Sequence, residues 1–379
     1  MPQLPLRRVR LHGMWAAQVA AAASPSPQAI AQVDAWNLKA PKGGQTWSLV
    51  RVATRDGVEG WGEGRVLTPE AWKTLKATAM GQPASAVEAL GVKLRGNPGW
   101  AAVNAACLDI MARISKAPVY QYLGGPTRNK VRAYTALHGP TNDDLLRSLE
   151  KARGAGFKAF SVPVPVAPFR NSGKAFVLAA EQRMSALRKA AGDGIDFILS
   201  GGGQLTPGDA AILSAAFERT HLLWFDEPCA TSAMGTVRKV SEESVTPVGF
   251  GRGAMEASFF QNLLREDAVD VLRPEIAIHG ISGVRKIAAL GEVYYVAVAP
   301  RHGEGPLTTA TALNLAASLP NFFIQHIPYP DAQEDRDMRR VLTGSDVETV
   351  KDGYAALINQ PGLGVSIQRD ALRKFGEAL

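Results

Sequence analysis

Residues 196 to 226 read DFILSGGGQLTPGDAAILSAAFERTHLLWFD: a short apolar run, a glycine loop, an alanine-rich amphipathic stretch, and a second apolar run that stops on an acid. Strand, loop, helix, strand is the unit of parallel sheets, because parallel neighbours need a crossover between them. The same theme recurs from residue 130 onward. Strand candidates are VRAYTAL (131–137), AFSVPV (159–164), DFILS (196–200), LLWFD (222–226), TPVGF (246–250), VDVLRP (269–274), VYYVAVAP (293–300) and NFFIQHIP (321–328). Eight such runs with helices between them, over about 200 residues, fit a closed (β/α)8 barrel. An open doubly wound sheet is the alternative, but Gly201, Gly202 and Gly203 are consecutive and lack the GxGxxG spacing of a dinucleotide loop.

Upstream, TWSLVRVATRDGVEGWGEG (46–64) reads as two alternating strands joined at an Asp56-Gly57 turn. Residues 68 to 123 carry helical spacing, with prolines near the helix starts. The tail DGYAALINQPGLGVSIQRDALRKF (352–375) holds turn signals and a strand. The expected layout is an α+β capping domain over residues 1–125, the barrel over 126–328, and a segment over 329–379 that returns to the cap. At the very start, LPLRRVRLHGMWAAQVAAAAS (4–24) has some features of a secretory signal. His12 and Gly13 interrupt its apolar stretch, and the alternation from Leu6 to Trp15 suits a strand better. A cytoplasmic location is therefore expected, with export as the alternative.

Composition narrows the classes further. Hydrophobic residues make up 46% and charged residues 20% of 379, which is ordinary globular usage and excludes fibrous or disordered chains. Two cysteines, Cys107 and Cys229, cannot build a disulfide framework or a four-thiolate zinc site. The net charge is 42 − 35 = +7, but the basic residues lie in short scattered groups (Arg7, Arg8, Arg10; Arg128, Lys130, Arg132; Arg336, Arg339, Arg340) rather than in one stripe, which argues against nucleic acid. No run approaches the roughly 20 apolar residues of a membrane span.

Six runs sharpen the reading: GVEGWGEG (57–64), APVYQYLGGPTRNKVRAY (117–134), WFDEP (224–228), ISGVRKIAALGEVYYVAVAP (281–300), GPLTTATALNLAASLPNFFIQ (305–325) and QPGLGVSI (360–367). In these the chain resembles the enolase superfamily, mandelate racemase / muconate lactonizing enzyme type, in its sugar-acid dehydratase branch. The resemblance implies a barrel under a cap built from both chain ends, and abstraction of the proton α to a carboxylate with Mg2+ holding the enolate. It also implies three carboxylate ligands, at the ends of the third, fourth and fifth barrel strands.

Carried over by position, the implied ligands fall on Ser200, Asp226 and Arg252, so Asp226 is a lone relic. The histidine of dehydratases falls on Gly202. The second-strand lysines of racemases fall on Ser161 and Pro163, flanking Val162. The acid/base pair after the sixth and seventh strands falls on Glu275 and Arg301, and the eighth-strand carboxylate on His326. Arg301 cannot be a base near neutral pH. Mg2+ with three carboxylates sums to −1, whereas Ser200, Asp226 and Arg252 sum to 0, which suggests that a guanidinium replaces the metal's charge.

The expectation is a degenerate metal site with no cofactor, in which Asp226 pairs with Arg252 and Glu275 with Arg301. Alternatively Arg252, Arg301, His302 and His326 form a pocket for a small anion such as a sugar acid, since guanidinium binds carboxylate and phosphate bidentately. The further readings are a dehydratase or racemase whose metal site is completed by substrate or unusual residues, new acid/base chemistry from His302 and Glu304, and a purely structural oligomer subunit. His279 is read as a solvated loop residue, Glu227 and Asp109 as structural, and Cys229 as inert. Residues 16–45 are expected to be loops shaping specificity, and the resemblance implies a homo-oligomer.

Overall fold

Residues 27–42, 44–166 and 173–379 are described by a computed structural model of the chain. The Arg7, Arg8, Arg10 group and the segment from Leu6 to Trp15, with its competing signal-like reading, lie outside these residues, as do residues 16–26.

The hairpin forms as its alternation demands. Strands β2 (Thr46–Thr54) and β3 (Glu59–Gly64) pair antiparallel, and Gly57 supplies the left-handed turn at φ 83°. On the other edge of β2 lies β1 (Ile30–Lys39), so ten residues of the expected loop over 16–45 are a strand. Helices α1 (Pro69–Ala79), α2 (Val87–Lys93), α3 (Trp100–Ile114) and α4 (Val119–Tyr122) follow. Buried α3 lies directly on β3: a Cβ at Gly60 would fall 2.1 Å from the Ala106 carbonyl oxygen, and one at Gly62 2.0 Å from that of Ala102. The glycines of GVEGWGEG are thus packing requirements. Asp109, on α3, accepts the Trp61 and Leu363 backbone N–H groups and the Arg113 guanidinium, tying hairpin, helix and tail together.

The barrel strands run in chain order: β4 (Lys130–Ala136), β5 (Ala159–Pro163), β6 (Asp196–Ser200), β7 (Phe225–Asp226), β8 (Val248–Phe250), β9 (Val271–Leu272), β10 (Ala297–Val298) and β11 (Gln325–His326). Each pairs in parallel with the next, β11 pairs with β4, and a Val298–Phe322 bridge joins β10 to the run entering β11. Crossover helices α5 (Asn142–Gly154), α6 (Gly173–Ala191), α7 (Pro207–Ala216), α8 (Met234–Glu243), α9 (Ala257–Arg265), α10 (Ile276–Val293) and α11 (Pro306–Ser318) clothe the outside. The candidate strand 293–300 shrinks to its last part: Tyr295 is 98% exposed at φ 58°, so this stretch is the turn after α10.

Inside the barrel, Tyr134, Ala159, Ile198, Trp224, Val271, Ala299 and Ile324 form one buried apolar layer. Because strand side chains alternate, the residues two positions later share that inward face. They are Ala136, Ser161, Ser200, Asp226, Arg273, Arg301 and His326, and they make the layer at the C-terminal mouth, where barrels of this kind carry their sites.

After α12 (Gln333–Thr343), strand β12 (Tyr354–Ala356) pairs antiparallel with the start of β4. The chain then passes through α13 (Arg369–Phe375) to β13 (Gly376–Ala378), which extends the cap sheet beside β1. Cap and barrel are locked by Glu63 of β3. Its carboxylate accepts the Trp47 indole N–H at 3.0 Å and both the N–H and hydroxyl of Thr308, at 2.8 and 3.1 Å, capping the N-terminus of α11 from another domain.

Full burial pushes the Glu63 carboxyl up to about 7, although the Thr308 N–H pulls the other way. An unfolded Glu titrates near about 4.3, so between these values only the folded chain keeps the proton; the contribution is complete below the unfolded value and is lost as pH rises through about 7. The stability advantage of the wild type over Glu63→Gln, measured by urea unfolding, should therefore shrink by roughly 2 to 3 kcal/mol between about pH 5 and pH 8. An advantage that stays constant across this range would contradict the assignment.

Candidate active site at the barrel mouth

The mouth layer is organised by Arg273. Its side chain, 1% exposed, enters the barrel from β9; Nε donates to Asp226 Oδ1 at 2.7 Å, and the two terminal nitrogens donate to the Ala299 carbonyl and the Tyr134 hydroxyl. The guanidinium also lies 5.0 Å from the Trp224 ring centre and 5.6 Å from that of Tyr134, within cation–π range. Trp224 Nε1 donates to the same Asp226 oxygen at 2.8 Å. Burial alone would lower the Arg273 pKa, but the Asp226 carboxylate and Tyr134 more than offset it, leaving the group charged. Gly249 makes room: a Cβ there would fall 2.6 Å from Trp224 Cδ1.

Asp226 thus pairs with Arg273 and not with Arg252, which corrects the expectation. The cause is register. On the fifth strand the inward positions are Gly249 and Gly251, and Arg252 lies one residue past them, exposed on the rim. Its backbone N–H is held by Glu227 Oε1 at 2.6 Å, while its guanidinium makes no hydrogen bond or ion pair among the described residues. The neighbouring Arg301, followed by partial burial, lowers the Arg252 pKa, placing two cations close together. Glu275 and Arg301 do pair, at 2.7 Å, with about a fifth of each side chain exposed.

His326 donates Nδ1–H to the His302 carbonyl at 2.7 Å, since a carbonyl can only accept. Burial and the nearby Arg301 hold its pKa well below the usual value, so the ring is neutral and Nε2 keeps a bare lone pair. Arg301 and His326 share a cleft of about 450 Å³ with His138 and Tyr329, roofed by Lys42 and Trp47 of the cap. His302 sits behind this cleft. It is buried and neutral, with Nε2 3.4 Å from the Thr309 hydroxyl and Nδ1 unpartnered. Arg339, which lines the cleft, forms a two-pronged pair with Glu348, at 2.6 and 2.7 Å.

Ser161, Pro163 and Ser200 line the opposite side of the mouth, with Gly202 in the loop beyond at φ 62°. The structure therefore brings Arg301 and His326 together, places Arg252 on the rim near Arg301, and leaves His302 out of the cleft. His279 is not solvated: its Nε2 meets the Ala254 carbonyl at 2.9 Å and its ring packs on Phe260, because the first turn of α10 folds against the fifth-strand loop. Glu304 folds back onto the Gly303 N–H, and burial raises its pKa. Burial likewise pushes the Cys229 thiol up to about 11, well away from a reactive thiolate.

Sequence reasoning missed Arg273, reading VDVLRP only as a strand. The signal was present: Val271 and Arg273 share a face, so a charge fell on the inward parity of a central strand. Missed too were Trp47 and Glu63, whose roles depend on contacts between domains.

Residues 144–371 match the enolase C-terminal domain-like family, and residues 41–124 match the mandelate racemase / muconate lactonizing enzyme N-terminal domain. The chain belongs to the mandelate racemase / muconate lactonizing enzyme group of the enolase superfamily, whose members are Mg2+-dependent. It is 28% identical over 346 residues to a D-galactonate dehydratase of Pectobacterium atrosepticum, covering 86% of this chain and 89% of that protein. A D-galactonate dehydratase of Ralstonia pickettii is 28% identical over 341 residues, covering 85% and 88%. Among solved structures, a mandelate racemase/muconate lactonizing enzyme-like protein from Roseovarius sp. TM1035 superimposes with a TM-score of 0.80 at 25% identity, covering 92% of this chain and 95% of that one.

The residues present do not fit a Mg2+ site of the family kind. Asp226 has one oxygen already taken by two donors, Ser200 offers a neutral hydroxyl and Arg252 a cation. No group of three or more Asp, Glu, His or Cys among the described residues could hold a metal. A divalent ion on Asp226 would also face the Arg273 guanidinium; at about 5 Å and an effective dielectric of about 20 the repulsion is roughly 7 kcal/mol.

Glu275→Gln removes the carboxylate beside two neighbouring guanidinium groups. The expected loss in urea unfolding is about 1 to 2 kcal/mol, part of it returned by added salt that screens Arg252 from Arg301. A variant as stable as the wild type at low salt would mean that the pair carries no weight.

Proposed function

We propose that this chain binds a small carboxylate of the acid-sugar class at the barrel mouth, and that the family's Mg2+-dependent proton abstraction is lost. The observation that carries the proposal is the division of the mouth layer: its fourth-strand carboxylate is consumed by Arg273, while Arg301 and His326 remain open to a roofed cleft. A guanidinium can take a carboxylate through paired N–H donors, and a neutral imidazole with a free lone pair can accept a hydrogen bond from a hydroxyl. Trp47 and Tyr329 offer flat apolar walls beside these polar groups, the usual make-up of a small-molecule site. The D-galactonate dehydratase relatives favour an acid sugar over other anions.

In this reading Arg301 fixes the carboxylate and Glu275 holds Arg301 in place from behind. His326 orients a hydroxyl of the ligand, and the exposed Arg252 draws anions toward the mouth. The family's base positions hold no base: Arg301 stands at one, and Ser161 and Pro163 stand at the second-strand pair. Loss of a positioned base alone costs about 10²- to 10⁴-fold.

Thermal unfolding with a panel of aldonate and uronate sugar acids, inorganic phosphate and Mg2+ tests this. A specific ligand at 100 times its Kd adds about 2.7 kcal/mol. At least one sugar acid should raise Tm without Mg2+, and Arg301→Gln should abolish the rise. Mg2+-dependent conversion of a sugar acid to its dehydrated keto product would instead establish a working dehydratase with a non-standard site, and silence across the panel would overturn the binding reading.

A further inference from the structure

Arg273 occupies a place that nothing in the family comparison assigns to it. It is a wholly buried cation in the mouth layer, bonded to the fourth-strand Asp226, the first-strand Tyr134 and the seventh-strand Ala299, and flanked by the Trp224 ring. One side chain thus bridges strands on opposite sides of the barrel. Two of its three partners are an anion, Asp226, and a phenol, Tyr134. Removing the guanidinium would leave Asp226, 6% exposed, as a buried unpaired carboxylate, a state that folded chains avoid.

We infer that Arg273 is the resident cation of this barrel: a guanidinium supplied by the chain itself neutralises Asp226 and clamps the mouth layer, so that the mouth assembles without a divalent ion. The inference concerns the floor of the mouth and does not rest on the acid-sugar reading, which concerns the cleft over Arg301. Serving as a charge makes a different demand from filling space. A small guanidinium ion should replace the one, and only an apolar side chain the other.

The test uses the full chain. Uptake of Mn2+ by the wild type is measured from the loss of the free-ion electron paramagnetic resonance signal, and Tm is measured in chelator and in millimolar Mg2+. Arg273→Ala and Asp226→Asn/Arg273→Ala are then melted with and without about 20 mM guanidinium chloride. The wild type should leave Mn2+ free and show one Tm in chelator and Mg2+. Arg273→Ala should melt roughly 5 to 10 °C lower and recover several degrees with guanidinium, whereas the double variant and the wild type should recover nothing. Stoichiometric Mn2+ uptake by the wild type that Asp226→Asn abolishes would overturn the inference, and this arm holds even if Arg273→Ala does not fold. An Arg273→Ala protein that folds and ignores guanidinium would overturn it as well.

Discussion

The contact on which the mouth depends is the 2.7 Å pair between Arg273 and Asp226, closed inside the barrel with Trp224 and Tyr134 around it. Breaking such a pair by removing one partner costs several kcal/mol, because the survivor is left charged and dry. Its geometry accounts for several otherwise separate features of the sequence. Gly249 is small because Trp224 needs the space, and Tyr134 points its hydroxyl inward because the guanidinium needs an acceptor. Ser200 and Arg252, the positions that the family resemblance pairs with Asp226 as ligands, carry no acid in this chain.

A second set of buried polar contacts decides how the cap sits on the mouth. Glu63 reaches across to the N-terminus of α11, and the Trp47 that donates to it also roofs the cleft. Arg339, from the segment after the barrel, lies 5.8 Å from the Trp47 ring centre and binds Glu348, whose other contact is the Thr309 hydroxyl. Hairpin, last barrel helix and returning tail thereby share one network, and the cleft wall is fixed by groups from three distant parts of the chain. The same network positions the buried His302, whose carbonyl fixes the tautomer of His326 and so leaves the Nε2 lone pair bare.

The barrel, the hairpin and the alternation of strand and helix were legible because each is written in a local period. Of the mouth positions, Ser161, Ser200, Asp226, Arg301 and His326 were reached only through the resemblance to the enolase superfamily, carried over position by position. Arg252 was carried over in the same way and paired with Asp226 by charge arithmetic, which does not register that it lies one residue past the inward-facing Gly249 and Gly251. Arg273 was hidden for another reason: of the two charges in VDVLRP, Asp270 and Arg273, only Arg273 shares the face of Val271, and that parity went unread. The burial of His279 was beyond local reading, since it follows from α10 packing against a loop that precedes it by more than 20 residues.

Arginine-selective 15N NMR reads the central pair most directly. The account predicts one Nε–H resonance, absent in Arg273→Lys, that is strongly protected from exchange with solvent and does not move on addition of 10 mM Mg2+. A resonance that exchanges quickly, or one displaced by Mg2+, would show that Asp226 is free to hold an ion and that the barrel is not built around its own guanidinium.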